Sequence, residues 1–424
     1  MTEILETILR EWEVFPMPEV IPRSEPLKID RLDNLPHRTL VVTGFRRVGK
    51  TYLLYQAINK LLEKHNRHEV VYLNLEDERV PAKTRILTDL IPAITKIYGQ
   101  KPKYLFLDEL HQIPLWSKWL RRILDRERIK VIVSGSSSKL SAVEVPTELR
   151  GRAWGQTVYP LTFEEFMRFK KSDNPDYSLN EYLKYGSLPD VILSPSDPER
   201  KEMLDEYLDV VTRRDIMERY NLVDEPTIKT TLKLLFNSTS ITISKLTDSL
   251  NSLQMPTAKT TVARYLTYIE SSYLLKQLYI YAPSVRAKLQ YPRKTYFIDN
   301  GFLTAMSVKF GPNYGRLLEN LVYWYLFKQH GDNLHYYRDE RGEVDFCVLE
   351  NGKAVSLFQV CYDIADFETR DREVHTLRRV GKLLKVTDLN LIIGNSDSDI
   401  EEKGVKIIKA LEIFPSGQSE QRTI

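Results

Sequence analysis

The sequence predicts an α/β protein whose amino-terminal part is built on a parallel β-sheet. Short apolar runs alternate with helical patterns between residues 39 and 134, and this alternation is typical of βαβ units. A basic, glycine-containing turn follows the first apolar run, and two carboxylates follow a later one. After the sheet we expect mostly helical segments and then a small terminal α/β domain.

Length and composition exclude several classes of protein. The chain has 424 residues, which suggests two to four domains. Its 61 basic and 58 acidic residues give a net charge of +3, too small to indicate a nucleic-acid partner without local basic clusters. Cys347 and Cys361 allow at most one disulfide, which favours a reduced setting. With no visible secretory signal or membrane-spanning run, we expect a cytoplasmic protein without a membrane partner.

The turn after the first strand fits a phosphate-binding loop. TLVVTG leads into GFRRVGKT, which has the spacing G-x-x-x-x-G-K-[ST], and a helical pattern follows. Glycines let backbone N–H groups face a β-phosphate, the lysine can bridge the β- and γ-phosphates, and the threonine hydroxyl can bind Mg²⁺. The alternative is a chance match, but strand and helix flank the motif as ATP or ADP binding requires. The candidate binding residues are Gly44, Arg46, Arg47, Val48, Gly49, Lys50, Thr51 and Tyr52.

Two later strands end in residues suited to catalysis. In YLFLDEL, Asp108 is placed to hold Mg²⁺ through water, and Glu109 to orient or deprotonate an attacking water; the alternative is that they only cap the next helix. In VIVSGSSS, Ser134 or Ser136 can sense the γ-phosphate or hold the water, unless the strand simply ends in a turn. We select Lys50 and Ser136 with the two carboxylates as catalytic candidates.

Two arginines in ELRGRAW flank a glycine just after the predicted sheet. An arginine that reaches the γ-phosphate bound by a neighbouring chain would neutralise charge in the transition state. This role requires a homo-oligomer. A surface salt bridge is the alternative for both Arg150 and Arg152. We select Arg152 as the candidate.

These motifs carry a family resemblance. TGFRRVGKT, YLNLED, YLFLDE, VSGSSSKL, ELRGR and YPLTFEEF, in that order, resemble the archaeal and prokaryotic P-loop ATPases of the AAA+ superfamily that have a C-terminal nuclease-like domain. The resemblance is strong over residues 35–170 and looser afterwards. It implies a RecA-like sheet, ATP with Mg²⁺, a helical lid and a winged helix. Lys50, Thr51, Asp108 and Glu109 match its motif positions.

With this resemblance we expect five segments. A proline-rich stretch, FPMPEVIPRSEP, predicts an extended lead-in before the first strand, since each proline fixes φ and removes a donor. The segments are a lead-in strap at 1–34, a P-loop ATPase core at 35–160, a helical lid at 161–224, a winged helix at 225–310 and a degenerate restriction-endonuclease-like domain at 311–424.

The fourth segment has features of a nucleic-acid contact. Around LQMPT two helical patterns are joined by a turn, with Thr257 as a candidate cap for the second helix. The following VRAKLQYPRKTYF has no acidic residue and predicts a β-wing that grips phosphates. A winged helix that packs as a lid and touches no DNA is the alternative. The candidate DNA contacts are Lys259, Arg264, Arg286, Lys288, Arg293 and Lys294.

The terminal segment resembles a restriction endonuclease with one residue missing. Glu319 on a helix and Asp345 and Gln359 on strands resemble its metal-binding set, but Cys361 stands where a lysine activates water. A thiol does not supply that permanent positive charge, so we expect a scaffold or DNA-docking surface and doubt cleavage.

Three functions remain open. We favour an ATP-hydrolysing, Mg²⁺-dependent protein that acts on or with DNA. The alternatives are a nucleotide-dependent switch that regulates a protein partner, and a metal-dependent nuclease.

Overall fold

The computed structural model describes residues 2–33, 35, 37–135, 149–282, 284–307, 313–364, 367–394 and 401–414. The chain divides into two compact units, Met1–Pro160 and Leu161–Ile424. The expected division into five segments stays a prediction. Within the described residues, no helix is long and apolar enough to cross a bilayer.

The first unit contains a five-stranded sheet in which every pairing is parallel, as the sequence predicted. Its register places Val42 beside Ser134 and Asn74 beside Asp108, so the carboxyl ends of the central strands meet at one edge. The strands are β1 (Thr39–Gly44), β2 (Val70–Asn74), β3 (Tyr104–Asp108), β4 (Lys130–Ser134) and β5 (Ala153–Val158), in the spatial order β2-β3-β4-β1-β5.

Helices cover this sheet, and the chain begins with one. Leu5 and Leu9 of the first helix are fully buried in the core of the unit, and Trp12 donates its indole N–H to the carbonyl of Val70 at 3.0 Å. The proline-rich stretch that follows is not helical before a 3₁₀ turn at Ile29–Leu32, as its prolines predicted. The helices are α1 (Thr2–Val14), α2 (Lys50–Leu62), α3 (Arg85–Tyr98) and α4 (Trp116–Arg126), with a 3₁₀ turn at Leu110–Gln112.

The second unit begins with helices, in agreement with the sequence. Thr162 and Glu165 form a capping box at the start of the first of them, which bonds two N–H groups that the helix itself leaves without partners. Phe163 and Phe166 of this helix pack edge-on against Tyr182. The helices are α5 (Phe163–Lys170), α6 (Pro175–Tyr185), α7 (Pro189–Leu193), α8 (Asp197–Val210) with a π-helical continuation at Val211–Glu218, and α9 (Glu225–Phe236).

A small antiparallel sheet with three helices follows. The two helices expected around LQMPT are present, but Ala258 occupies the N-cap and Thr257 donates to the carbonyl of Met255 at 2.9 Å, so the cap prediction is wrong. The β-wing expected over VRAKLQYPRKTYF is also wrong, because Val285–Gln290 forms a short helix before the last strand. The elements are β6 (Ser240–Ile241), α10 (Ile243–Ser252), α11 (Lys259–Ser271), β7 (Leu275–Leu278), α12 (Val285–Gln290) and β8 (Arg293–Phe297), with the strands in the order β6-β8-β7.

The last part is a five-stranded mixed sheet with helices. The two strands predicted to carry Asp345 and Gln359 are present in its antiparallel half, and two further strands pair in parallel beside them. The elements are α13 (Asn300–Met306), α14 (Tyr314–His330), a 3₁₀ turn (Gly331–Asn333), β9 (Leu334–Asp339), β10 (Gly342–Glu350), β11 (Lys353–Cys361), α15 (Phe367–Leu384), β12 (Asp388–Ile393), β13 (Lys406–Lys409) and α16 (Ala410–Ile413), with the strands in the order β13-β12-β11-β10-β9.

A buried carboxylate joins two parts of the second unit. Asp299 is the N-cap of α13 and accepts hydrogen bonds from the backbone N–H groups of Ser187 at 2.6 Å and Gly301 at 2.9 Å. Gly186 lies so close that a Cβ there would overlap the Asp299 carboxylate. Burial raises the pKa of Asp299 to about 6, although these hydrogen bonds act in the opposite direction.

Candidate functional site

The loop between β1 and α2 has the curled backbone that its sequence predicts. Gly44 and Gly49 have φ angles of 145° and 90°, a range that favours glycine. A Cβ on Gly44 would also overlap the carbonyl of Val158 on β5. No side chain caps α2 at Gly49, so the positive end of this helix points into the loop without a competing acceptor from its own N-cap.

Lys50 lies over the loop and away from solvent. Its ammonium donates to the carbonyls of Gly44 at 3.2 Å and Phe45 at 2.9 Å, and the residue is only 6% exposed. These carbonyl oxygens hold a positive charge at the mouth of the loop. The ammonium therefore lies against the backbone of the loop between β1 and α2.

Thr51 and Asp108 come together at the carboxyl edge of the sheet. The Thr51 hydroxyl donates to Asp108 at 2.7 Å, and the carboxylate also accepts bonds from Tyr72 at 3.1 Å and from Ser134. All three of these partners are neutral hydroxyls. Burial raises the pKa of Asp108, against the opposing effect of the Ser134 bond, so a cation beside it would favour its charged form.

This donor set fits Mg²⁺, which prefers oxygen ligands and few protein side chains. Thr51 and Asp108 supply a hydroxyl and a carboxylate oxygen already in contact. The predicted pair is therefore brought together in space.

Glu109 follows Asp108 but points to a different partner. Its backbone has a φ of 53°, and its carboxylate lies 3.2 Å from Nδ1 of His111. Both side chains are largely shielded from solvent, with 13% and 6% of their surface exposed. His111 was not among the residues predicted from sequence, although its place two residues after the glutamate was an available signal.

Of the two candidate serines, Ser134 lies at the site. Its hydroxyl donates to Asp108 and accepts from the backbone N–H of Glu109 at 3.4 Å. Ser136, the residue selected from sequence, lies outside the described residues. The assignment of Ser136 stays a prediction.

The lead-in segment supplies a contact to the loop that the sequence analysis missed. Arg23 donates from its guanidinium to the carbonyls of Val48 at 2.9 Å and Tyr159 at 2.8 Å. Its backbone N–H and carbonyl pair with the Gln56 amide on α2 at 2.8 and 3.2 Å. The proline-rich segment thus holds the loop, α2 and the end of β5 together.

The remaining loop residues differ in exposure. Val48 is buried, Arg46 is half-buried, Arg47 is exposed with a φ of 62°, and Tyr52 is 53% exposed. Tyr52 packs edge-on against Tyr55, with ring centres 5.9 Å apart. Tyr52 thus presents an aromatic face to solvent within one turn of Lys50.

Arg152 lies at the opposite edge of the sheet from the loop. Its carbonyl accepts the N–H of Thr39, at the amino end of β1, and its guanidinium pairs with Asp125 at 3.1 Å. The length of β1, about 17 Å for its residues at strand spacing, separates it from Gly44. Arg152 therefore does not serve the loop of its own chain, and its role toward a neighbouring chain stays a prediction. Arg150, the alternative, is exposed.

In the second unit, residues that were expected to form a nuclease-like metal site lie around a lysine. Glu319 on α14 and Asp345 on β10 lie 2.8 and 2.7 Å from the ammonium of Lys294 on β8, and Glu343 lies 2.8 Å from it. Gln359 accepts the backbone N–H of Asp345 at 3.2 Å. Burial raises the pKa of Asp345 to about 7 against the opposing effect of Lys294.

The prediction that Lys294 contacts nucleic acid is therefore wrong, because this residue is 4% exposed and surrounded by carboxylates. Cys361 donates its thiol to the carbonyl of Asp363 at 3.0 Å, and burial raises the pKa of this thiol to about 11. In the described part of the chain, no three His, Cys, Asp or Glu residues form a group that could hold a metal ion.

The other nucleic-acid candidates fall into two groups. Lys259 and Arg264 on α11 are exposed, as is Arg286 on α12. Lys288 is half-buried, and Arg293 bonds to Gln277 at 2.9 Å. The guanidinium of Arg293 also lies 4.9 Å from the ring centre of Tyr279.

Comparison with known proteins agrees with this geometry. The AAA domain family matches residues 36–167, and two domains of unknown function, DUF8612 and DUF4143, match residues 176–313 and 314–413. The chain therefore contains the fold of an AAA-type P-loop ATPase, which implies nucleotide binding, together with a C-terminal mixed-sheet domain.

The full-length relatives define the family. The chain is 33% identical to the uncharacterized protein MJ1544 of Methanocaldococcus jannaschii, over 94% of this chain and 90% of that protein. An uncharacterized protein of Haemophilus influenzae is 26% identical, over 88% of this chain and 93% of its own length. The chain belongs to the family of MJ1544.

Solved structures of P-loop ATPases are similar at low identity. The Walker-type ATPase paby2304 of Pyrococcus abyssi is 14% identical, with a TM-score of 0.45 over 66% of this chain and 93% of that one. AMPPCP-bound DnaA from Aquifex aeolicus is also 14% identical, with a TM-score of 0.30 over 57% of this chain and 85% of that one.

Proposed function

We propose that this protein binds and hydrolyses ATP with Mg²⁺, using the loop Gly44–Thr51. The observation that carries the proposal is the contact of Thr51 with the buried Asp108, next to a loop whose carbonyls hold the ammonium of Lys50. A phosphate-binding loop, a hydroxyl and a carboxylate for Mg²⁺ are the parts that phosphoryl transfer requires from a P-loop protein.

Each part of the site has a separate role in this proposal. The loop N–H groups and the start of α2 hold the phosphates, while Lys50 leaves the loop carbonyls and pairs with phosphate oxygens. Thr51, and Asp108 through water, would hold Mg²⁺, which would supply positive charge beside the phosphates. Glu109 then orients the attacking water after it separates from His111.

The contact of Glu109 with His111 favours a second candidate function. While the Glu109 carboxylate stays beside His111, it is not placed to activate water, so turnover is slow. This arrangement suits a nucleotide-dependent switch that regulates a protein partner. Release of Glu109 by a partner or by nucleic acid would convert the switch into a hydrolase.

We further propose that the segment from α9 to β8 is a winged helix that contacts DNA. Its elements are a helix, a strand, two helices and two antiparallel strands with the short helix α12 between them, and this order supports the proposal. The exposed Lys259 and Arg264 on α11 support it as well. Arg286 extends this basic surface, whereas Lys294 does not contribute to it. The C-terminal sheet serves as a scaffold or docking surface. Arg152, if it acts in a neighbouring chain, requires a homo-oligomer.

The test is an ATPase assay with a panel of single-stranded, duplex and branched DNA. We expect Mg²⁺-dependent hydrolysis that DNA stimulates and that Lys50→Ala abolishes. The matched control is Lys60→Ala, which removes an exposed lysine from the same helix. A flat response to every DNA favours the switch, and hydrolysis by Lys50→Ala at the wild-type rate refutes the assignment of the site.

A further inference from the structure

One face of α4, in the first unit, carries a row of exposed positive charges. We propose that this row binds the phosphate backbone of a nucleic acid and so forms a second contact surface, on the ATPase unit itself. The α4 surface consists of Lys118, Arg122, Arg126 and Arg128. It lies on a different element from the surface proposed on α11, and the inference depends neither on that surface nor on ATP hydrolysis.

The spacing of the row follows from the geometry of the helix. Lys118, Arg122 and Arg126 are four residues apart, so they lie on one side of α4 at intervals of about 6 Å along its axis. All three are exposed, and so is Arg128 just after the helix. The row therefore presents successive cations along a line, which suits the successive phosphates of a nucleic acid strand.

The apolar residues of α4 keep this side of the helix at the surface. They are buried in the core of the first unit, and they are Trp116, Trp119, Leu120, Ile123 and Leu124. In this helix, which is described in full, no large apolar side chain is exposed, although Leu115 just before it is. A helix that lies on a membrane needs an exposed apolar face as well as basic residues, so the α4 surface fits a phosphate backbone better than a bilayer.

The acidic residues beside the row are paired with other basic residues. Asp125 pairs with Arg152 at 3.1 Å, and Glu127 pairs with Lys101 at 2.6 Å. In the described part of the chain, no carboxylate forms an ion pair with a member of the row. Because residues 118–128 include five basic and only two acidic side chains, the surface keeps a positive charge that an anionic backbone complements.

More cations lie near the end of α4. Nδ1 of His37 lies 2.9 Å from the carbonyl of Leu124, which places the residues before β1 beside the last turns of this helix. The guanidinium groups of Arg31 and Arg38 lie 4.6 and 5.6 Å from the ring centre of Trp154 at the start of β5. The positive surface thus continues past the helix to the amino edge of the sheet.

Neutralising the row in the full-length protein tests the inference. Lys118→Gln/Arg122→Gln/Arg126→Gln removes three cations and keeps residue types that favour a helix. With a fluorescein-labelled duplex DNA, we expect weaker binding by fluorescence anisotropy. The slope of log affinity against log salt should fall by about 3, because each phosphate contact contributes roughly 0.9.

The matched control removes the same number of charges elsewhere in the first unit. Lys60→Gln/Lys64→Gln/Lys83→Gln replaces three exposed lysines outside α4, so it lowers the net charge equally. This control should keep the salt slope of the wild-type protein. A reduced slope in the α4 variant alone therefore reports contacts made by the row and not the change in net charge.

Three outcomes would overturn the inference. The first is an α4 variant whose affinity and salt slope equal those of the control. The second is loss of binding to phosphatidylserine vesicles by an α4 variant that still binds DNA normally, which would assign the row to a membrane surface. The third is a wild-type protein that binds no DNA, which would refute the α11 surface as well. A reduced slope in the α4 variant supports the inference whatever Lys259→Ala/Arg264→Ala does, so the two surfaces can fail separately.

Discussion

The lead-in segment contacts the loop between β1 and α2 through the side chain of Arg23, and Arg23→Met tests whether this contact supports phosphate binding. Methionine removes the guanidinium that bonds the carbonyls of Val48 and Tyr159, but it keeps the backbone pairing with Gln56. The substitution therefore removes the hydrogen bonds from the side chain and leaves the backbone course of the segment unchanged. Without these hydrogen bonds, the loop can adopt backbone conformations that do not bind phosphate.

The guanidinium bonds to the carbonyls of Val48 and Tyr159 set the magnitude. Hydrogen bonds from a charged donor contribute about 1.5 to 3 kcal/mol each when buried. Arg23 is half-buried, so water replaces part of this, and we expect a loss of about 2 to 3 kcal/mol in the free energy of unfolding. If about 1.4 kcal/mol of this stabilises the binding shape of the loop, the affinity for ATP falls about tenfold.

Two measurements check this prediction. Urea unfolding gives the loss of stability, and calorimetric titration with MgATP gives the change in Kd. The control is Lys28→Met on the same segment, whose ammonium pairs with the exposed Glu25, so both quantities should stay near the wild-type values. An Arg23→Met protein with wild-type stability and Kd would refute the reasoning.

Three further predictions follow from the described contacts. The Glu109→Gln protein should bind ATP but hydrolyse it on the order of 10²-fold more slowly, whereas His111→Ala should speed hydrolysis. Single-turnover assays measure both rates. Slower hydrolysis by His111→Ala would contradict the idea that His111 restrains Glu109. Because the folded pKa of Asp299 is raised to about 6, its contribution to stability is complete below the unfolded value near 3.8 and is lost as pH rises toward 6. Stability should fall by about 3 kcal/mol over this window, and Asp299→Asn should remove that slope in unfolding curves; an unchanged slope would refute the cause. Replacing Lys259 and Arg264 by alanine should weaken DNA binding and reduce its salt slope by about 2, measured by fluorescence anisotropy, and an unaltered slope would exclude α11 from the interface.

The parallel sheet and the loop were predictable because local sequence determines them. Apolar runs bounded by glycine and carboxylates specify buried strands, and the spacing of Gly44, Gly49 and Lys50 specifies a turn between a strand and a helix. The strands β12 and β13 were not predicted, although β12 (DLNLII) is an apolar run before a glycine and has the pattern of a buried strand. The helix α12 was missed because its basic residues were interpreted as a wing.

The contacts between distant residues were not predictable from one sequence. Arg23 lies 25 residues before Val48 and 136 before Tyr159, and no spacing rule connects them. Lys294 appeared to belong to a basic surface because its neighbours in sequence are basic, yet the fold turns it toward Glu319 and Asp345. A basic residue on a strand faces either side of the sheet, and only the packing decides which.

Binding of MgATP to the wild-type protein and to Lys50→Ala tests the central claim most directly. Calorimetric titration should give a single site per chain, with an affinity on the order of 10²-fold weaker in Lys50→Ala, equivalent to about 2.7 kcal/mol, and unchanged in Lys60→Ala. Equal affinities in all three proteins would mean that the loop from Gly44 to Thr51 does not hold the phosphates.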